Sequence, residues 1–131
     1  LPGILNIITE AANQGFKLGV ASSSTEEWVE GHLRRLGLRN MFTSVRCRDH
    51  VGVKKPDPAV YNATLEQLGV GKESALAFED SPPGLHAAKA AGIKCVVIPS
   101  ILTRHRDFTG ADLIIDSMEN YGLETLLTIL D

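Results

Sequence analysis

The chain is poor in the residues that mark special-purpose scaffolds. Cysteine occurs twice and tryptophan once in 131 residues, and aromatic residues make up 5%. Cys47 and Cys95 are too few for a disulfide framework, and they lack metal-ligand spacing. Each falls in a predicted strand, so both read as buried free thiols in a reducing cytosol, and the expected location is cytoplasmic. Long apolar runs are missing too. None approaches the ~20 residues of a membrane span, and no signal-peptide pattern is present. Excess charge of one sign is also lacking. Thirteen basic against sixteen acidic residues leave a net charge of -3, which excludes the basic footprint of a nucleic-acid binder. There is no repeat, no low-complexity segment and no linker.

What is present is an ordinary globular composition, 44% hydrophobic and 22% charged, at the length of one domain. Residues 1–131 therefore read as a single domain. The sequence opens at Leu1, inside an apolar pattern, so further residues of the gene product are expected ahead of it.

The stretch Ser74 to Gly92, SALAFEDSPPGLHAAKAAG, organises the rest. Ala75 to Phe78 is a short apolar run suited to an interior parallel strand. Ser81 is placed to cap a helix, Pro82 sits where its missing N–H costs nothing, and Gly92 supplies the stop. Glu79 and Asp80 then lie at the carboxyl end of a strand, beside a helix N-terminus, which is where open α/β sheets bind ligands. Adjacent carboxylates repel unless a cation or a hydrogen-bond network compensates them. Paired oxygen ligands that leave room for water and phosphate suit magnesium. The plainer reading is one capping acid and one solvated acid, and this stretch alone leaves both open.

The remaining pattern alternates strands with helices. A helix is predicted over Pro2 to Asn13 and a strand over Lys17 to Ala21. A second helix follows, with Ser24 and Glu27 as a capping box and Trp28 or Val29, Leu33 and Leu36 facing inward. A short strand is expected over Phe42 to Arg48 and a loop over Asp49 to Lys55. Asp57 and Pro58 open a helix with Tyr61, Leu65 and Leu68 on one face. Strands at Cys95 to Ile98 and Leu113 to Ile115 and a last helix from Tyr121 to Leu130 complete the chain. This order predicts a parallel α/β sheet with helices on both faces.

Two more strand ends carry chemistry-bearing residues. Ser22 and Ser23 follow the first strand, where a hydroxyl can donate to a phosphate oxygen; they also suit a simple turn. Lys55 precedes Pro56, which favours an extended backbone and holds a positive charge where it can meet a phosphoryl group and an acid. Solvated loop lysines are the commoner fate of a pair such as Lys54 and Lys55. Gly84 is expected to let the helix start approach the acids closely, and His86 to be an exposed helix residue. The basic loop of Arg104, His105 and Arg106 is expected to be solvated.

Together GVASSS, KKPDPAVY and FEDSPPGLHAAKAAG resemble the second, third and fourth motifs of the haloacid dehalogenase superfamily, in the branch of β-phosphoglucomutase and phosphoglycolate phosphatase. The resemblance runs from Pro2 to about Ile98. It implies a Rossmann-like three-layer fold and magnesium-dependent phosphoryl transfer on a small phosphorylated metabolite such as a sugar phosphate. It also implies roles: Ser22 and Ser23 on the transferring phosphoryl group, Lys55 on that group and the nucleophile, and Asp80, more weakly Glu79, on Mg2+. The family's nucleophile is the first Asp of an Asp-x-Asp-Gly-Thr motif, and no Asp-x-Asp occurs in these 131 residues. The helical cap that follows the motif is missing too, and Leu1, Pro2 and Gly3 resemble the point where the family's chain resumes after it.

By the same resemblance the absent first strand is central, between the strands ending at Ser22 and Asp80. Unpaired buried backbone groups cost about 1–3 kcal/mol each, so an N-terminal segment, a second chain, a swapped segment or a closed-up sheet is expected to fill the place. On its own this chain is expected to be inactive. The alternatives are a metal-independent dehalogenase, which the paired acids argue against, and a non-catalytic binding or regulatory module. A phospho-receiver domain carries its acids and its lysine in the reverse order.

Overall fold

The computed structural model describes residues 3–131; the expected helix start at Pro2 and the Leu1–Pro2 lead-in lie outside the described residues. The helices are α1 (Ile4–Asn13), α2 (Glu26–Arg35), α3 (Arg48–Val51), α4 (Ala59–Leu68), α5 (Pro82–Ala90) and α6 (Leu123–Leu130). The strands are β1 (Gly19–Ala21), β2 (Ser44–Arg46), β3 (Leu76–Glu79), β4 (Lys94–Val97) and β5 (Leu113–Ile114). None of the described helices is long and apolar enough to cross a membrane.

All strand pairings are parallel, as the alternating pattern predicted. β1 pairs with β2 in the register Val20 to Val45. β3 pairs with β4, Ala77 opposite Cys95, and β4 with β5, Val96 opposite Leu113. Successive side chains alternate between faces. Ala77, Cys95 and Val97 pack with Val60 and Tyr61 of α4 and Leu85 and Ala88 of α5. Leu76, Phe78, Val96 and Ile98 pack on the other face with Ile7 and Ala11 of α1 and Leu123 and Leu126 of α6. Val29 and Leu33 of α2 cover Val20 and Val45. The result is a three-layer α/β/α sandwich.

Among the described residues the sheet is split. β1 bonds only to β2, and β3 only to β4. An apolar groove of about 420 Å³ runs between them, lined by Leu18 to Ala21 on one wall and Ala75 to Glu79 on the other, with Tyr61, Thr64 and Ile7 among the residues closing it. The two halves have not closed up on each other.

Several local expectations change. Thr25, not Ser24, caps α2, accepting from the Trp28 N–H at 3.4 Å. Ser24 is tied into the turn instead, its carbonyl accepting from Arg48 N and its N–H donating to Ser22 Oγ. Of the expected inner face only Val29 and Leu33 are buried; Trp28 is 57% exposed and Leu36, where the helix ends, 56%. Residues 48–51, expected as strand end and loop, make one helical turn. It is closed by His50 Nδ1 accepting from Cys47 N and by the Asp49 carboxylate accepting from Glu26 N.

Candidate functional site

Three chain reversals bring the polar residues to one edge of the sandwich. After β1 the ladder runs one residue further, Ser22 N donating to Arg46 O at 3.0 Å. The Ser22 hydroxyl then accepts from Ser24 N at 3.0 Å, as an ST turn does. The Ser23 hydroxyl accepts from the backbone N–H of Lys55 at 3.0 Å. That bond fixes the 54–58 loop against the end of β1. Asp57 starts the next helix, its carboxylate accepting from Ala59 N at 2.9 Å.

From that anchored loop Lys55 reaches across to β3. Its Nζ lies 2.6 Å from Glu79 Oε2, with the two side chains 13% and 8% exposed. Lys54 beside it is exposed. Glu79 Oε2 also accepts from the buried hydroxyl of Tyr61, and the Lys55 ammonium lies 5.1 Å from the centre of the Tyr61 ring. Removing either partner of so buried a pair leaves an uncompensated charge, at a cost of about 3–5 kcal/mol.

Asp80 is exposed at the end of β3. Its backbone carbonyl accepts from Thr103 Oγ1 at 2.6 Å, and Thr103 Oγ1 in turn accepts from Ser100 N at 2.9 Å. The loop after β4 is thereby pinned to the strand end carrying the acids. α5 begins as the sequence predicted, with Ser81 Oγ accepting from Gly84 N at 3.4 Å and Pro82 in the first turn. A Cβ at Gly84 would fall on the Glu79 carboxylate, so the expected close approach is real. His86 and the Arg104–Arg106 loop are exposed.

Of the predicted residues, Ser23, Lys55 and Glu79 are linked by hydrogen bonds, and Asp80 follows directly. The Ser22 hydroxyl faces the Ser24 backbone. Two residues escaped the sequence reading. Tyr61 was read as a core position of α4, although a buried tyrosine needs a hydroxyl partner and an unpaired acid was on offer. Thr103 carried no signal, because only the fold brings it to Asp80.

The electrostatics follow burial. Burial first, then the charge of Glu79 and its hydrogen bond, drives the Tyr61 phenol far above its ordinary value, so it stays a donor. Burial and Glu79 push the Cys95 thiol to about 12, and burial and Asp49 push Cys47 to about 11. Cys47, Asp49 and His50 bring possible ligand atoms within 4.8 Å, but all three are occupied. The thiol is held protonated, and the Asp49 and His50 atoms hold Glu26 N and Cys47 N. His50 Nε2 is 2.8 Å from Glu26. The oxygen donors at Glu79 and Asp80 fit a hard divalent cation better. Among the described residues the Asp80 carboxylate makes no hydrogen bond or ion pair, only its backbone carbonyl being used, and Glu79 has one oxygen committed to Lys55 and Tyr61.

Comparison with known proteins agrees with this geometry. The family model described as haloacid dehalogenase-like hydrolase matches residues 1–98. Protein CbbY from Cereibacter sphaeroides is 41% identical over 124 residues, covering 92% of this chain and 54% of its own. Protein YhcW from Bacillus subtilis strain 168 is 40% identical over 130 residues, covering 99% and 59%. The crystal structure of CbbY from Rhodobacter sphaeroides in complex with phosphate superposes with a TM-score of 0.90 at 43% identity, covering 95% of this chain and 57% of that one. A point mutant of that protein has been crystallised with xylulose-(1,5)bisphosphate. The chain thus spans a little over half the length of these relatives. The branch expected from the motifs, with phosphoglycolate phosphatase and β-phosphoglucomutase, is where its relatives fall. With its motifs at successive strand ends, the three-layer fold and a family match over most of its length, the chain belongs to the haloacid dehalogenase-like hydrolases.

Proposed function

We propose that this chain supplies most of the core of a magnesium-dependent enzyme that transfers the phosphoryl group of a small phosphorylated metabolite, acting as a phosphatase or a phosphomutase. The observation that carries the reading is the Ser23–Lys55–Glu79 chain of bonds, which gathers three strand-end motifs at one edge. Phosphate and xylulose-(1,5)bisphosphate in the CbbY crystals support the substrate class.

In this reading the nucleophile is an Asp on a strand encoded ahead of Leu1, in the same chain or a swapped second copy of it, and that strand occupies the groove between β1 and β3. The Asp carboxylate would attack phosphorus and form an aspartyl phosphate as the phosphorus–oxygen bond to the metabolite breaks, the metabolite leaving as its alcohol with a proton taken from solvent. Water then cleaves the acyl phosphate to inorganic phosphate, and a sugar hydroxyl as acceptor instead gives a mutase. Lys55 offers its ammonium to the phosphoryl oxygens and to the nucleophile. Glu79 holds that ammonium in place. The Ser22 hydroxyl and the backbone of the Ser22–Ser24 turn orient the phosphoryl group. Asp80 would hold Mg2+, which would supply a positive charge against the phosphoryl oxygens, while Glu79, its second oxygen against α5, would act through Lys55. Phosphoryl transfer asks the protein mainly to position groups and offset charge, and each of these residues does one or the other.

The test is direct. The reading frame ahead of Leu1 should encode an Asp-x-Asp-Gly-Thr segment. The full gene product should hydrolyse an aryl phosphate with Mg2+ and lose that activity in a chelator, and Lys55→Ala or Asp80→Ala should lower kcat by ~10²-fold or more. Chelator-resistant release of halide from a haloacid would favour the dehalogenase chemistry instead. A frame without the motif, or undiminished activity in both variants, would overturn the proposal and leave a binding or regulatory module.

A further inference from the structure

The Tyr61 hydroxyl has no assigned part in this chemistry, yet it is buried at the centre of the charge network. Tyr61 is 8% exposed on the inner face of α4. It addresses both members of the ion pair at once, its hydroxyl donating to Glu79 Oε2 and its ring lying under the Lys55 ammonium at 5.1 Å. Lys55 and Tyr61 both donate to the same carboxylate oxygen, while the other oxygen faces the start of α5, where Gly84 leaves it room. A Glu side chain with one donor can swing about its last torsion; with two donors on one oxygen and α5 against the other it has one orientation.

We propose that Tyr61 is a positioning residue: it fixes Glu79 so that Lys55 is presented to the phosphoryl group in a single orientation. This rests on the reading that Lys55 serves that group. A core role for Tyr61 would require only the ring, which phenylalanine supplies equally well. The hydroxyl is the part the packing does not need. A misplacement of about 1 Å at a charge of this kind costs up to ~10²-fold in rate.

A double-mutant cycle on the full gene product separates the roles. Tyr61→Phe should lower kcat for an aryl phosphate about tenfold while KM stays within about threefold. In a Glu79→Gln background the same change should cost no more than about twofold, because the oxygen it orders is no longer an anion. Equal losses in both backgrounds, or no loss in the parent while Lys55→Ala is crippled, would overturn the assignment. If Lys55→Ala is fully active, the reading of the site fails rather than the link itself. The link is then decided without catalysis, by the NMR resonance of the Lys55 ε-carbon. That signal should move in Tyr61→Phe, and an unmoved signal refutes the positioning role.

Discussion

Among single residues, those whose chemistry burial has changed most are Tyr61, Cys47 and Cys95. Each holds its proton more tightly in the folded chain than its ordinary pKa allows. Above the unfolded thiol and phenol values, ~8.5 and ~10, the unfolded chain gives up protons that the folded chain keeps. Stability therefore falls as pH rises through that range and on towards the folded values. Denaturant midpoints should drop between pH 8 and pH 10.5, and less steeply in Tyr61→Phe. Both thiols are fully buried, so neither should react with iodoacetamide at pH 8 until denaturant is added; labelling of the native chain would contradict the burial. Lys54 is a built-in control: Lys54→Ala should leave kcat within twofold, since its side chain is exposed where that of Lys55 is not.

Secondary-structure elements show where sequence was legible and where it was not. The α5 start was readable because Ser81, Pro82 and Gly92 act through local geometry alone. Ser81→Ala should cost about 1 kcal/mol in thermal or denaturant melts, the value of one cap. The start of α2 was not readable, because four consecutive hydroxyl residues from Ser22 to Thr25 offered several caps. The choice was made by Arg48 N, from a distant element, which draws on the Ser24 carbonyl. The turn α3 was missed for a similar reason: it is four residues long and depends on Glu26 from α2. Two glycines mark close approaches that the pattern could not quantify. At Gly19 a Cβ would sit 2.7 Å from Thr64 Cγ2 of α4, so Gly19→Ala should destabilise by about 1–3 kcal/mol as overpacking does. In a free helix Gly84→Ala would stabilise by roughly 1 kcal/mol. Here its methyl displaces the Glu79 carboxylate, and a lower melting temperature with weakened catalysis is expected.

At the scale of the whole molecule, the parallel sheet and the helices on both its faces were legible because short apolar runs alternate with helix-period patterns along the chain. Leu76 and Phe78 face one layer and Ala77 the other. The linking of Ser23, Lys55 and Glu79 was legible only as motif order along successive strand ends. Their actual contacts, and the parts of Tyr61 and Thr103, needed the tertiary fold, because segments far apart in sequence supply them. The groove between β1 and β3 is the feature that joins fold to function. Its walls include β1 and β3, whose carboxyl ends carry the serines and the acids. In the proposed reading a strand laid there pairs with both open edges and brings an Asp to Lys55. In that reading this edge is one site for a phosphoryl group and a divalent ion. The measurement that tests it most directly is a crystal structure of the full gene product with Mg2+ and a phosphate analogue. The ion is expected on Asp80 and the analogue between the Ser22 turn and the Lys55 ammonium, with an Asp-bearing strand filling the groove. Ion and analogue at separate places, or a groove filled by anything that brings no carboxylate to Lys55, would contradict it.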